Sequence, residues 1–254
     1  MSPPLFWVDE VPPVGADVTL TDGEGRHAVT VARVSVGEQI QVGDGRGSVA
    51  TCEVTAIRGK DTLTARVHTF TFDDRPTPTV TLVQAIPKSE RAELAVDLAT
   101  EAGVDRIVPW QAARCVARWT QKASKGVAKW QQAASAAAKQ SRRPWIPEVT
   151  DLATTIDVRA RCADVIEAGG VVAVLHEEGA TPIRQLALAD APDVVLVVGP
   201  EGGLDDSEIA DLTALGATSV LLGPEILRTS TAAAVALGAV GVLTNRWPDD
   251  RASR

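Results

Sequence analysis

The sequence predicts an α/β protein in two parts, a small all-β segment followed by a larger layer structure on a parallel sheet. Three observations predict it. Residues 1–72 carry strand-like segments at short spacing, strand and helix patterns alternate from residue 79 onward, and residues 194–198 form an unbroken apolar run. A strand that is apolar at every position has both faces covered, as parallel strands beneath helices do.

In the first part, residues 17–20, 38–42, 49–57 and 62–67 read as strands, with turn signals at Asp22-Gly23 and at Gly43-Asp44-Gly45-Arg46-Gly47. That glycine run precedes another alternating segment, Ser48, Ala50 and Cys52 against Val49, Thr51 and Glu53. A dinucleotide-binding loop would open a helix, so the run reads as a hairpin turn. The polar stretch Asp73-Asp74-Arg75-Pro76-Thr77-Pro78 marks a boundary, giving domains 1–72 and 77–254.

In the second part, residues 79–85 read as a strand and 89–102 as a helix with Leu94, Leu98 and the small residues between them on one side. Gly103 closes that helix. Residues 106–109 follow as a short strand, then a basic helix over 122–140 on which Lys122, Lys125 and Lys129 share a face. Strands are expected at 171–175, 194–198 and 218–222, weaker helices at 153–168 and 183–188, and a closing helix at 231–244.

Several classes drop out. The longest apolar run, from Ala232 to Leu243, has 12 residues, short of the roughly 20 that a membrane span needs. The start, MSPPLFWVDEVPP, lacks the basic and apolar regions of a secretory signal. Cys52, Cys115 and Cys162 show no C-x-x-C spacing and suit a reducing compartment, so a cytoplasmic location is expected. Neither they nor His27, His68 and His176 have metal-ligand spacing, so no metal is expected. A serine-hydrolase elbow, a P-loop and a dinucleotide fingerprint are all missing.

The net charge of −8 argues at first against a polyanionic partner, but its distribution argues for one. Residues 107–147 hold no acid and eight bases, Arg114, Arg118, Lys122, Lys125, Lys129, Lys139, Arg142 and Arg143, so the charge divides into +8 there and −16 elsewhere. Trp110, Trp119, Trp130 and Trp145 lie in the same stretch. Bases with interleaved flat rings suit RNA, phosphates taking the charge and unstacked bases the rings. The alternative is a solvated lysine face with tryptophans on the core side.

Ligands of open parallel sheets bind beyond the carboxyl ends of the strands. Two loops there are unusual: Gly199-Pro200-Glu201-Gly202-Gly203-Leu204 after the strand 194–198, and Gly223-Pro224-Glu225-Ile226-Leu227-Arg228-Thr229-Ser230-Thr231 after 218–222. Glycines let main-chain groups approach a ligand without a Cβ in the way. A tight strand-to-helix turn explains one glycine but not three beside a glutamate. In the second loop one hydroxyl serves as N-cap of the closing helix, which leaves Arg228 and two hydroxyls without a structural reason. Asp205 and Glu208 have capping-box spacing for the helix after the first loop. His176, at the end of the strand 171–175, is a third candidate.

The passages VVGPEGGLDDSEI and LLGPEILRTSTAAAVAL resemble the SPOUT superfamily of S-adenosylmethionine-dependent RNA methyltransferases, and within it the RsmE family, which methylates N3 of a uridine in 16S ribosomal RNA. QAIPKSERAELAVDLATEAGVDRIVPWQAARC, Lys129-Trp130-Gln131 and the stretch from Arg142 to Pro147 are similar too. His27, Val31, Arg33, Gly37, Asp44 and Gly45 resemble the family's small PUA-like β-barrel. The chain departs from the pattern at Leu98, where a lysine is common, and at Glu101-Ala102-Gly103-Val104 in place of E-L-G-V.

The resemblance implies a SPOUT domain, a trefoil-knotted, mostly parallel sheet with helices on both faces, behind an RNA-binding PUA-like barrel. It implies a homodimer acting on 16S rRNA of the small ribosomal subunit. It places S-adenosylmethionine against Leu175, His176, Gly199, Pro200, Glu201, Gly202, Leu222, Gly223, Leu227, Arg228, Thr231 and Ala232. Arg228, Thr229 and Glu201 are the candidate catalytic residues; Arg33, Lys88, Arg114, Arg118, Lys122, Lys125, Lys129, Arg142 and Arg143 are the candidate RNA contacts. A ribose 2′-O-methyltransferase of the same superfamily and a non-catalytic RNA-binding protein are the alternatives.

Overall fold

The structure, a computed structural model, describes residues 3–119 and 122–247. The chain divides into two compact units, one of Met1–Arg75 with Ala138–Ile146 and one of Pro76–Ala137 with Pro147–Arg254. Residues 138–146, with Arg142 and Arg143, thus group with the N-terminal unit.

The first unit is a five-stranded sheet of β1 (Leu5–Trp7), β2 (Asp17–Leu20), β3 (Gln39–Gly43), β4 (Ser48–Arg58) and β5 (Thr62–Phe72), in the order β1-β3-β4-β5-β2. Only the β1–β3 pair is parallel. Alternation buries Val18, Leu20, Ile40, Val42, Cys52, Val54, Leu63 and Ala65 around Phe6. The glycine run joins β3 to β4 as a hairpin, where Asp44 Oδ1 accepts from the amides of Arg46 (2.7 Å) and Ser48 (3.1 Å). Two features differ from the sequence reading. β1 was not anticipated, and Asp22-Gly23 opens the short helix α1 (Asp22–Arg26) and a π-helical turn (His27–Val31) rather than a simple turn. Asp22 stands at φ +51 to start it.

The second unit is a seven-stranded, wholly parallel sheet. Its strands are β6 (Thr79–Ala85), β7 (Arg106–Trp110), β8 (Glu148–Val149), β9 (Val171–Leu175), β10 (Thr181–Pro182), β11 (Asp193–Val198) and β12 (Thr218–Leu221), in the order β10-β12-β9-β11-β6-β7-β8. The apolar run of β11 is central and covered twice: Val194, Leu196 and Val198 join one core, Val195 and Val197 the other. The first core is closed by α2 (Ser89–Glu101), α3 (Ala123–Gln140) and α6 (Thr229–Leu243), the second by α4 (Thr155–Glu167) and α5 (Asp206–Ala214).

Helix α2 buries Ala92, Ala95, Val96 and Ala99 and leaves Leu94 46% exposed, so its packed side is the alanine face and not the leucine pair. Small residues there let α6, itself rich in alanine and glycine, pack closely on α2. The stretch 183–188 forms only a 3-10 turn (Ile183–Gln185), because β10 precedes it at the sheet edge and Leu186 has already returned to extended backbone. All three cysteines are free and buried, and burial pushes the thiols of Cys52 and Cys162 up to about 11.

The strand order carries the topology expected of the SPOUT fold. β9 and β11 are neighbours, yet the chain between them travels to the far edge as β10 before returning. β12, later in the chain, enters between β10 and β9, pairing Val220 with Thr181 on one side and with Leu175 on the other. Helix α6 then leaves on the face where Ile183, Leu188 and Ala191 lie. β12 and α6 therefore take their places against a part of the chain laid down earlier, between β9 and β11 in sequence. At the crossing a Cβ on Gly179 would sit 2.5 Å from the Val220 carbonyl carbon, so only glycine fits. Beyond α6, Arg246 ties the end of the helix down: Nη1 reaches Asp105 Oδ2 at 2.7 Å, and both side chains are buried.

Candidate active site

The carboxyl ends of β9, β11 and β12 open into a cleft of about 630 Å³, within the roughly 300–1,000 Å³ of small-molecule sites. All the residues that the resemblance assigns to the cofactor line it except Thr231; Thr229 lines it too. The strand insertion is what brings the two Gly-Pro-Glu loops together, since β9 lies between β11 and β12.

The first loop is a built turn. The Gly203 amide donates to Pro200 O at 2.9 Å and Gly203 takes φ +72. Asp205 and Glu208 then form the reciprocal cap of α5: Asp205 accepts from Ser207 N at 3.1 Å, and Glu208 Oε2 accepts from Asp205 N at 3.1 Å. The Ser207 hydroxyl and amide, with Arg114 beside them, hold the Asp205 carboxyl below the usual range. Glu208 does more than cap. It is buried, and its other oxygen accepts from Ala113 N at 2.9 Å, fastening the segment after β7 to the loop. Arg114 completes that clamp with Nη1 on Leu204 O at 2.9 Å and Nη2 at 3.3 Å from Asp205.

Thr229 joins the second loop to the first. It is buried, donates its hydroxyl to Gly199 O at 2.6 Å, and accepts from Gln84 Nε2 at 3.0 Å. The proton of Thr229 is therefore engaged with the main chain, and this residue positions the loops. The N-cap of α6 is Arg228, with no side-chain cap. The expected hydroxyl cap is absent because Thr229 lies inside the helix and turns to Gly199. Gln84 was missed as a site residue; the signal was there, as a lone amide between Val83 and Ala85 in a buried strand.

Glu201 is also engaged, Oε1 accepting from the Lys88 amide at the start of α2 at 3.0 Å, where a carboxylate suits the helix dipole. His176 Nδ1 accepts from Glu178 N at 3.3 Å. Arg228 is different. Among the described residues its guanidinium makes no hydrogen bond or ion pair, and it stands exposed on the lining of the cleft.

The basic stretch resolves unevenly. Lys88, Lys122, Lys125 and Lys129 are exposed in the second unit, Lys129 lying 3.7 Å from Glu93. Arg114 is committed to its clamp, and Arg118 donates to Ala113 O. In the first unit Arg33 is exposed at φ +56 and Arg142 at φ +57, while Lys139 is paired with Glu24. The tryptophans contradict the expectation of base-stacking rings. Trp110 and Trp130 are buried in the core, and Trp119 packs edge-on against Trp130 at 5.2 Å. Their spacing reflects the buried side of α3 and the end of β7, so the core-side alternative holds for these three.

Fold and cleft together define the class. Residues 74–241 match the RNA methyltransferase domain family and residues 20–67 the RNA methyltransferase PUA domain family. The chain belongs to the ribosomal RNA small subunit methyltransferase E family. It is 50% identical over 244 residues to the protein of that name in Mycobacterium tuberculosis, covering 96% of this chain and 93% of the relative. With the Bacillus subtilis protein of the same name it shares 31% identity over 238 residues, covering 92% and 93%. The crystal structure of ribosomal RNA small subunit methyltransferase E from Neisseria gonorrhoeae bound to S-adenosyl methionine superposes with a TM-score of 0.85 at 28% identity, covering 97% of this chain and 100% of that one. A Legionella pneumophila protein solved with bound SAM gives 0.82 at 28%, covering 96% and 99%.

The Thr229 link yields a prediction. Thr229→Val keeps the shape but takes the hydroxyl donor from Gly199 O and leaves the Gln84 amide with only its bond to Ala85 O, at about 1–3 kcal/mol. Denaturant titration is expected to show that loss, with Thr229→Ser close to wild type. A Thr229→Val midpoint equal to wild type would show that this hydroxyl does not hold the loops.

Proposed function

We propose that the chain transfers a methyl group from S-adenosylmethionine to N3 of a uridine in 16S ribosomal RNA of the small subunit. The observation that carries this reading is the cleft in which the two Gly-Pro-Glu loops meet at the ends of β11 and β12, with the exposed Arg228 on its lining.

The residues present fit the cofactor. Leu175, Leu222 and Leu227 give the cleft apolar wall for an adenine ring, and Gly199, Gly202 and Gly223 expose main chain to the polar groups of ribose and methionine. When bound, the sulfonium supplies an already activated methyl group, so the protein contributes position and electrostatics. Attack by N3 requires loss of its proton, and the negative charge then spreads onto the flanking carbonyl oxygens. Arg228 is the catalytic candidate that stabilises this charge, since among the described residues its guanidinium has no partner to surrender first. Thr229 acts by holding Gly199 against the start of α6, and Glu201 by fixing the β6–α2 junction beside the cleft.

The target base must be splayed out of its stack to enter. Lys88, Arg118, Lys122, Lys125 and Lys129 in the second unit, and Arg33, Arg142 and Arg143 in the first, supply cations for flanking phosphates, and the acidic remainder of the chain discourages nonspecific contact. Substrate and cofactor fit a cytoplasmic location. Among the described residues no helix is long and apolar enough to cross a membrane. We read the exposed Leu94 of α2 and Val235 and Val242 of α6, on helices packed together, as the surface of a homodimer; sedimentation as a monomer at micromolar concentration would contradict it.

Mapping modified nucleosides in 16S rRNA from a deletion strain tests the assignment: one N3-methyluridine is expected to disappear and to return on complementation. Loss of a ribose methyl instead would favour the 2′-O alternative. Arg228→Ala is expected to lower kcat by about 10²–10³-fold with S-adenosylmethionine affinity within a few fold; wild-type turnover would remove the electrostatic role. Lys122→Glu with Lys125→Glu is expected to raise KM for RNA and spare cofactor affinity.

A further inference from the structure

Two large aromatic side chains in the first unit stand in solvent, Phe70 at 46% and Phe72 at 57% exposure. Their placement follows from a β-bulge. On β4, Thr51 pairs with Thr69 and Cys52 with Val67, so His68 is the extra residue on β5. The bulge shifts the alternation, and the face that carries Ala65 and Val67 into the core continues as Phe70 and Phe72 beyond it. Opposite them on β4 lie Ala50 and Ser48, which are small and leave the rings uncovered.

The shelf is held rigidly. The Phe72 ring meets Trp145 edge-on at 6.2 Å, and the Trp145 indole N–H donates to Asp73 O at 2.7 Å. Gly47, at φ +103, gives these rings room: a Cβ there would lie 2.8 Å from Trp145 and 3.0 Å from Phe72. The Arg75 guanidinium caps the far side of the cluster, 4.3 Å from the Trp145 ring centroid, and Arg46 adds a second exposed cation, its Nε 3.7 Å from Asp44 Oδ2 and its Nη2 donating to Asp9 O. Of the nearby acids, Asp44 is turned onto the Arg46 and Ser48 amides, Asp73 is half-buried and Asp74 is exposed.

We propose that Phe70 and Phe72 form a stacking platform for unpaired bases of the RNA substrate, with Arg75 and Arg46 beside it for the phosphates. Side chains at i and i+2 on one face offer successive bases two flat rings, and stacking takes any base because each has a π-face. The cations favour RNA over an apolar protein partner. The proposal rests on the reading of the chain as an RNA methyltransferase and gives the barrel unit a definite contact.

The test uses the full chain and a fluorescently labelled, unstructured oligouridine RNA, read by anisotropy at fixed salt. Phe70→Leu with Phe72→Leu keeps apolar bulk and removes the rings. The apparent Kd is expected to rise tenfold or more, as loss of a stacked base does. KM for the ribosomal substrate is expected to rise with it, while kcat at saturating RNA and affinity for S-adenosylmethionine stay within twofold. If the pair destabilises the barrel, Phe70→Leu alone, away from Trp145, is expected to weaken RNA binding in the same direction. Affinities within twofold of wild type would overturn the platform while leaving the methyltransferase reading intact. A change of oligomeric state with RNA affinity unchanged would overturn it in favour of a protein interface. Oligouridine binding is read without the reaction, so failure to methylate would sink the activity and leave the platform judged by its own Kd.

Discussion

The cleft exists because β12 enters the sheet between β9 and β10. Without that insertion the loops after β11 and β12 would end on strands with no fixed relation. With it they stand one strand apart, both at carboxyl ends where strand-to-helix turns leave main-chain groups free. The insertion is sterically tight at Gly179, where the chain before β10 lies against the backbone of β12. Two polar links then fix the geometry, Thr229 to Gly199 near the cleft and Arg246 to Asp105 beyond α6. Each is buried, so breaking one leaves unpaired polar groups in a low-dielectric interior.

The same economy governs the charges around the cleft. Several ionised groups in or behind its wall are already engaged: Arg114 with Leu204 O and Asp205, Glu201 with the Lys88 amide, Glu208 with Ala113 and Asp205. These shape the walls and cannot also serve the reaction without coming loose. Among the described residues the Arg228 guanidinium makes no hydrogen bond or ion pair, which separates it from Arg114 although both line the cleft. A cation that need not be released is available at once to charge developing on a substrate.

Much of this was legible in the sequence, and the reasons for the rest are physical. The apolar run of β11 announced a strand covered on both faces, and three glycines around Pro200 announced main chain that must come close to something. The face of α2 was misread because Leu94 and Leu98 look like core residues, whereas the partner helix is made of alanine and glycine and demands alanines opposite. The tryptophans were misread because one sequence spacing serves equally for a core stripe and for a row of rings in solvent; only the sheet beneath α3 decides. The α6 cap was misread because Thr229 has a competing acceptor, Gly199 O, that lies 30 residues away in the chain. The strand order could be had only through resemblance, since no local pattern encodes which later strand passes inside an earlier excursion.

The central claim is that the loops at 199–204 and 223–231 jointly grip the methyl donor. A crystal structure of this chain with S-adenosylmethionine tests it most directly. The account predicts adenosine and methionine lying between the two loops, with main-chain contacts to both and Arg228 beside the open side of the cleft. Density for the donor elsewhere on the molecule, or against one loop alone, would contradict it.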